Sequence, residues 1–131
     1  MNKIIFTNGC FDILHRGHIS LLKYCKGLGC QVIVGLNSDS SVKRLKGNGR
    51  PINSEKDRKF LLESIRYVDK VIIFDEETPY NLIREVKPDI IVKGGDYTKE
   101  QVVGNDICEV KLFDYEEKYS TTKIIQNIIT G

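Results

Sequence analysis

The sequence predicts a single doubly wound α/β domain, Rossmann-like, built on a five-stranded, mainly parallel sheet. Three observations predict it. Five strand-length runs rich in Ile and Val are nearly continuous in apolar residues, as strands covered on both faces require. Longer amphipathic patterns lie between several of those runs, and strands alternating with helices pair in parallel through right-handed crossovers. The chain has 131 residues, of which 40% are hydrophobic, enough for one core and not for two.

The elements follow in order. "KIIFTN" (3–8) reads as the first strand, and a helical pattern covers about 17–28. "QVIVGLN" (31–37) is the second strand. The stretch after it, "NSDSSVKRLKGNGRP", is polar and basic, and it reads as a mobile loop with Gly47 and Gly49 as its flexible points. A second helix is expected over 54–66, where Ser54 followed by Asp57 resembles a capping box. "KVIIF" (70–74), a helix over 78–87, "DIIVKG" (89–94), "CEVKLF" (108–113) and a helix over 121–129 complete the pattern. Without a repeat, a low-complexity tract or a linker, one domain is expected to span 1–131.

Composition excludes several function classes. A formal net charge of +2 is too small to imply a nucleic-acid or membrane partner. No apolar run approaches the roughly 20 residues needed to span a bilayer. The N-terminus lacks the long apolar region and cleavage site of a secretion signal, so a cytoplasmic location is expected. Cys10, Cys25, Cys30 and Cys108 form no CxxC pair and no zinc-ligand spacing; free thiols are expected, and no dedicated metal site.

Open α/β sheets bind ligands beyond the carboxyl ends of their strands, and the unusual residues gather there: "GCFDILHRGH", the basic loop, "KGGDY" and "YSTT". His15 and His18, three apart, project from one face of a helical turn, with Gly17 between them allowing close approach to the backbone. A helix start adds free N–H groups and a positive dipole end, a setting for phosphate. Packed or solvated histidines, and a two-histidine metal site using Asp12, are the competing readings at this point. Ser120, Thr121 and Thr122 are natural caps for the last helix, and hydroxyls at a helix start also hold phosphate.

"FDILHRGH" resembles the HxGH signature of the small nucleotidyltransferases of the cytidylyltransferase-like superfamily, and "YSTTKII" (119–125) resembles their second hallmark. Over essentially the whole chain, "TNGCFDILHRGHISLL", "LNSDSSVKRLKGNGRP", "VDKVIIFDEETPYNLI", "PDIIVKGGDYT" and "STTKII" are similar to the adenylyltransferase domain of bacterial ADP-heptose synthesis, often fused behind a sugar kinase and here expected to stand alone. The resemblance implies an HxGH-type fold and transfer of the nucleoside monophosphate of ATP to a sugar 1-phosphate, D-glycero-D-manno-heptose 1-phosphate, with release of pyrophosphate. It assigns His15, His18 and Lys46 to catalysis. Cys10, Phe11, Asp12, Gly17, Gly94, Gly95, Asp96, Ser120, Thr121 and Thr122 would bind the nucleotide, and Lys43, Arg44 and Arg58 would meet the substrate phosphate. Arg58 has the further option of anchoring the loop. Magnesium is expected with the triphosphate, and a homodimer is expected.

The glycerol-phosphate and choline-phosphate cytidylyltransferases typically carry "RTEGIST" before the final helix. Here "DYEEKYSTT" lacks that arginine and glycine, which favours ATP over CTP. Lys118 stands where the heptose branch often has glycine, so GTP also stays in view. The rivals are a glycerol-3-phosphate-type cytidylyltransferase, an FMN adenylyltransferase, and a nucleotide-binding module without catalysis.

Overall fold

A computed structural model describes residues 2–95, 97–114 and 120–130. It contains β1 (Ile4–Gly9), α1 (Arg16–Leu28), β2 (Gln31–Asn37), α2 (Asp39–Lys46), α3 (Glu55–Glu63), β3 (Lys70–Phe74), α4 (Tyr80–Val86), β4 (Ile90–Gly94), a 3₁₀ turn (Lys99–Gln101), β5 (Glu109–Phe113) and α5 (Thr121–Thr130). The five strands form one sheet in the order β3-β2-β1-β4-β5, and every pairing is parallel. This is the doubly wound α/β fold that the apolar runs predict, each strand lying within one residue of its expected bounds.

Alternation along the strands builds two core layers. Ile5, Val32, Val34, Val71, Ile90 and Val92 face one side, where they pack with Leu21, Leu22 and Cys25 of α1 and Leu62 of α3. Phe6, Ile33, Phe74, Ile91 and Val110 face the other, against Leu82 and Ile83 of α4 and against Val102. Each such side chain contributes about 1.5–3 kcal/mol when fully removed from water.

The stretch expected as a basic loop after β2 is mostly helix. α2 forms because Ser38 caps it, its Oγ accepting from Ser41 N–H at 3.1 Å, and because Asp39 opens and Lys43, Arg44 and Lys46 close it in the sense the helix dipole favours. Only Ser41 and Val42 are buried on it. Gly47 and Gly49 follow with φ of +94° and +89°, left-handed turns that glycine adopts without strain. The second expected helix is shorter than 54–66: Ser54 Oγ accepts from Asp57 N–H at 3.3 Å, and α3 ends at Glu63.

From β1 the chain winds outward through β2 to β3, then returns to place β4 and β5 on the other side of β1. The winding direction therefore reverses between β1 and β4, and a crevice opens at their carboxyl ends. Among the described residues no helix is long and apolar enough to cross a membrane, and no cluster of three or more His, Cys, Asp or Glu is placed to hold a metal ion. None of the four cysteines is in a disulfide.

Candidate active site

The turn after β1 is tightly determined. Phe11 and Ile13 adopt φ of +48° and +51°, a region that costs non-glycine residues energy and persists only where the surroundings impose it. Here they do. Phe11 is buried, and Asp12 is only 1% exposed. The Asp12 carboxylate accepts from Ile52 N–H at 2.6 Å and Asn53 N–H at 2.9 Å and lies 3.5 Å from Arg50 Nε. Thr121 Oγ1 donates to the Asp12 carbonyl, tying the start of α5 to the same turn. Asp12 thus uses its side chain to hold the loop before α3.

The turn delivers the histidines. His15 caps α1, its Nδ1 accepting from Gly17 N–H at 3.1 Å, and His18 Nδ1 accepts from His15 N–H at 3.3 Å. The rings stack with centroids 3.8 Å apart and 27° between planes, and Phe11 lies 5.1 Å from His18. Because each Nδ1 accepts a backbone proton, a neutral ring carries its own proton on Nε2. Burial, and then the neighbouring His15, push the His18 pKa down to about 3 against a smaller upward pull from Asp12. Burial lowers that of His15 as well. The pair is therefore two neutral N–H donors at a helix start. Gly17 supplies the N–H that seats His15, which is its part in the site.

This state has a measurable consequence. The His18 ring should show no titration between pH 8 and 5, read from its Cε1 proton resonance; a midpoint near 6.5 would contradict the neutral pair. The sign for stability follows from a folded pKa below the unfolded one. As pH falls through 6.5 the unfolded ring takes up a proton that the folded ring refuses, so stability declines by up to about 1.4 kcal/mol per unit, about 2 kcal/mol by pH 5.

A cavity of about 810 Å³ opens in front of the pair. Its floor is the end of β1 and the following turn, from Asn8 to Asp12, with His15 and His18. Lys46 reaches it from α2, Gly94 from the end of β4, and Ser120, Thr121 and Thr122 from the start of α5. Ser120 Oγ accepts from Lys123 N–H at 3.0 Å, the capping bond expected of it. Cys10 contributes to the wall, but burial pushes its thiol pKa up, so it stays protonated. Gly95 turns the chain away with φ of +104° and does not line the cavity. Asp96 and Lys118 lie outside the described residues.

Three expected phosphate contacts are placed elsewhere. Lys43 sits one helical turn back from Lys46 and does not line the cavity. Arg44 points off the opposite side of α2, where it donates to the Asp75 carbonyl at 2.5 Å and pairs with the Asp75 carboxylate at 3.7 Å. Arg58 is 1% exposed and faces inward. Its Nε donates to the Asn53 carbonyl at 3.0 Å, Nη1 to those of Cys10 and Asn37 at 2.8 Å each, and Nη2 to Asp39 Oδ1 at 2.8 Å. Arg58 thus clamps the ends of β1 and β2, the first residue of α2 and the loop before α3. It is a positioning residue: four of its five N–H groups are donated to the protein, and its side chain is fully buried and does not line the cavity.

Three cations not assigned from the sequence also line the cavity: Arg50, Lys93 and Lys123. The available hint for Lys93 was a charged residue closing the otherwise apolar run of β4. Asn37, Phe74, Glu77, Pro79 and Tyr97 complete walls that only the folded sheet brings together.

A family model described as cytidylyltransferase-like matches residues 6–127. Bifunctional protein HldE of Helicobacter pylori (strain Shi470) is 58% identical over 127 residues, covering 96% of this chain and 27% of that protein. HldE of a Nitratiruptor species is 59% identical, with 96% and 28% covered. The chain spans little more than a quarter of the length of these curated relatives. The crystal structure of the lipopolysaccharide core biosynthesis protein from Thermoplasma volcanium GSS1 matches with a TM-score of 0.72 and 32% identity, over 90% of this chain and 98% of that one. Pantoate-beta-alanine ligase from Francisella tularensis, complexed with beta-gamma ATP and beta-alanine, shares the fold at a TM-score of 0.65 and 18% identity, over 98% of this chain and 70% of that one.

Proposed function

The chain belongs to the cytidylyltransferase-like family and is a nucleotidyltransferase, and from that premise we propose that it joins a heptose 1-phosphate to the adenylyl group of ATP, releasing pyrophosphate and forming ADP-heptose for surface glycan. Identity of 58% to HldE proteins across the domain supports the heptose assignment, as does a structural relative that serves lipopolysaccharide core biosynthesis. The observation that carries the chemistry is the stacked, neutral His15–His18 pair opening on a cavity that Lys46 also lines.

In the proposed reaction an oxygen of the sugar phosphate attacks the α-phosphorus of ATP. A new P–O bond forms as the bond from the α-phosphorus to the bridging oxygen breaks, and that oxygen leaves with pyrophosphate. The nucleophile is already anionic, so no general base is needed; rate comes from alignment and from donors fixed where charge develops. The Nε2–H groups of His15 and His18 supply such donors, and Lys46 supplies a cation from the facing side. Ser120 and Thr122 offer hydroxyls, and the start of α5 offers amides, to the remaining phosphates, the Thr121 hydroxyl being donated to the Asp12 carbonyl.

ATP is taken as its magnesium complex. Of the two described carboxylates lining the cavity, Asp12 is engaged by Ile52, Asn53 and Arg50, which leaves Glu77. Among the described residues Glu77 would be the carboxylate open to the ion, which would supply charge neutralisation for the leaving pyrophosphate.

Purified protein incubated with ATP, GTP or CTP and with heptose 1-phosphate, glycerol 3-phosphate or FMN should release pyrophosphate best with ATP and the heptose. The expected margin in kcat/KM is at least about 100-fold over the other acceptors, because buried polar groups matched to one acceptor are left unpaired by another. Preference for CTP with glycerol 3-phosphate, or for FMN, would replace this reading with the corresponding rival.

A further inference from the structure

β4 ends in Lys93 and Gly94. Val92 packs into the sheet core, and Lys93, the next residue, lines the cavity. Its Nζ lies 3.4 Å from the Asn8 carbonyl of β1 and 5.6 Å from the centroid of the Tyr97 ring. β1 and β4 flank the point where the winding of the sheet reverses, so this side chain spans the ligand crevice itself.

Lys93 is partly buried, and a lysine drawn away from water in this way ordinarily meets a carboxylate. Among the described residues none lies within ion-pair distance of Lys93. One long hydrogen bond to a neutral carbonyl and one distant aromatic face do not offset the loss of water around an ammonium. Among the described residues the titratable groups around it are Cys10 on the turn after β1, Lys46 on α2 and Tyr97 after β4. Lys46 repels it, and burial is the larger influence holding its pKa below the ordinary lysine value. Two lysines thus face one cavity from opposite sides of β1, and both gain from an anion between them.

We propose that Lys93 is a substrate-binding catalytic residue that closes on the triphosphate from the β4 side of the crevice while Lys46 closes from the β2 side. The proposal rests on the nucleotidyl-transfer reading. An arriving phosphate supplies a counter-charge that none of the described residues provides, replaces the 3.4 Å contact by shorter charge-assisted hydrogen bonds, and keeps the ammonium protonated. In the displacement the ammonium then stabilises the nonbridging oxygens on which negative charge grows.

The test uses Lys93→Met and Lys93→Arg, with two independent readouts. Lys93→Met should lower kcat/KM for ATP by about 100-fold and weaken binding of inorganic tripolyphosphate by about tenfold, with Tm within about 3 °C of wild type. Lys93→Arg should recover most of both. It should also abolish a basic limb of the wild-type kcat/KM profile: the ammonium is the working form, its depressed pKa brings its loss on earlier as pH rises, and arginine does not deprotonate there. Unchanged tripolyphosphate affinity together with unchanged turnover in Lys93→Met would overturn the proposal. So would a loss of activity that Lys93→Arg, folded as wild type, fails to recover at all. If wild-type protein transfers to no sugar phosphate yet Lys93→Met still weakens tripolyphosphate binding, the transfer reading fails and the phosphate site stands.

Discussion

His18→Ala should lower kcat by about 100- to 1,000-fold while the protein still folds, the scale expected when one preorganised donor to a developing anion is removed. The substitution deletes the Nε2–H donor and also the Nδ1 acceptor that holds His15 N–H at 3.3 Å. Losing that single backbone bond costs about 1 kcal/mol of stability, too little to unfold the domain. His18→Gln separates the two contributions. Its amide N–H₂ reaches roughly the Nε2 position while the Nδ1 acceptor stays absent, so it should lie between alanine and wild type. Steady-state pyrophosphate release measured beside a thermal melt gives both quantities. Near-normal turnover in His18→Ala would remove the pair from the chemistry and leave it a packing feature of the α1 start.

Arg58→Met should be the most destabilising single change near the site. Its guanidinium has no exposed surface and makes four hydrogen bonds, to Asn53, Cys10, Asn37 and Asp39. Removing it leaves buried carbonyls unpaired and Asp39 without its cation, a loss of about 3–5 kcal/mol. For a chain of this size that lowers Tm by roughly 10–20 °C. Arg58→Lys should recover little, because one ammonium cannot reach acceptors spread over three segments. A phosphate contact would behave the other way, with Arg58→Lys folded normally and impaired in KM. Thermal melts of the two variants decide between these outcomes, and a Tm within a few degrees of wild type would refute the clamp.

The two residues mark where the sequence was legible. His15 and His18 form a local pair: their spacing, Gly17 and the following amphipathic pattern suffice to place both rings at a helix start. Strands were equally readable, since a parallel strand covered on both faces must be apolar at nearly every position. α2 was not. It buries only Ser41 and Val42, so it carries no apolar stripe. It is held instead by its Ser38 cap and by bonds such as Arg44 to the Asp75 carbonyl, 31 residues away. Arg58 sits on a helix that also carries Lys56, Asp57 and Glu63 at exposed positions, and nothing local separates an inward arginine from these outward charges.

Sequence alone determined the order along the chain of the five strands and of every α-helix but α2, the histidine pair and the ends of the sheet at which ligand-binding residues collect, because periodicity and neighbour spacing are properties of short segments. Tertiary structure alone decided which cations serve the cavity. Lys46 and Lys93 line it, while Arg44 and Arg58 are drawn to carbonyls and carboxylates of the protein itself. The physical reason is that a charge goes where long-range packing leaves it a partner or a vacancy for one, and the reversal of winding between β1 and β4 sets those distances.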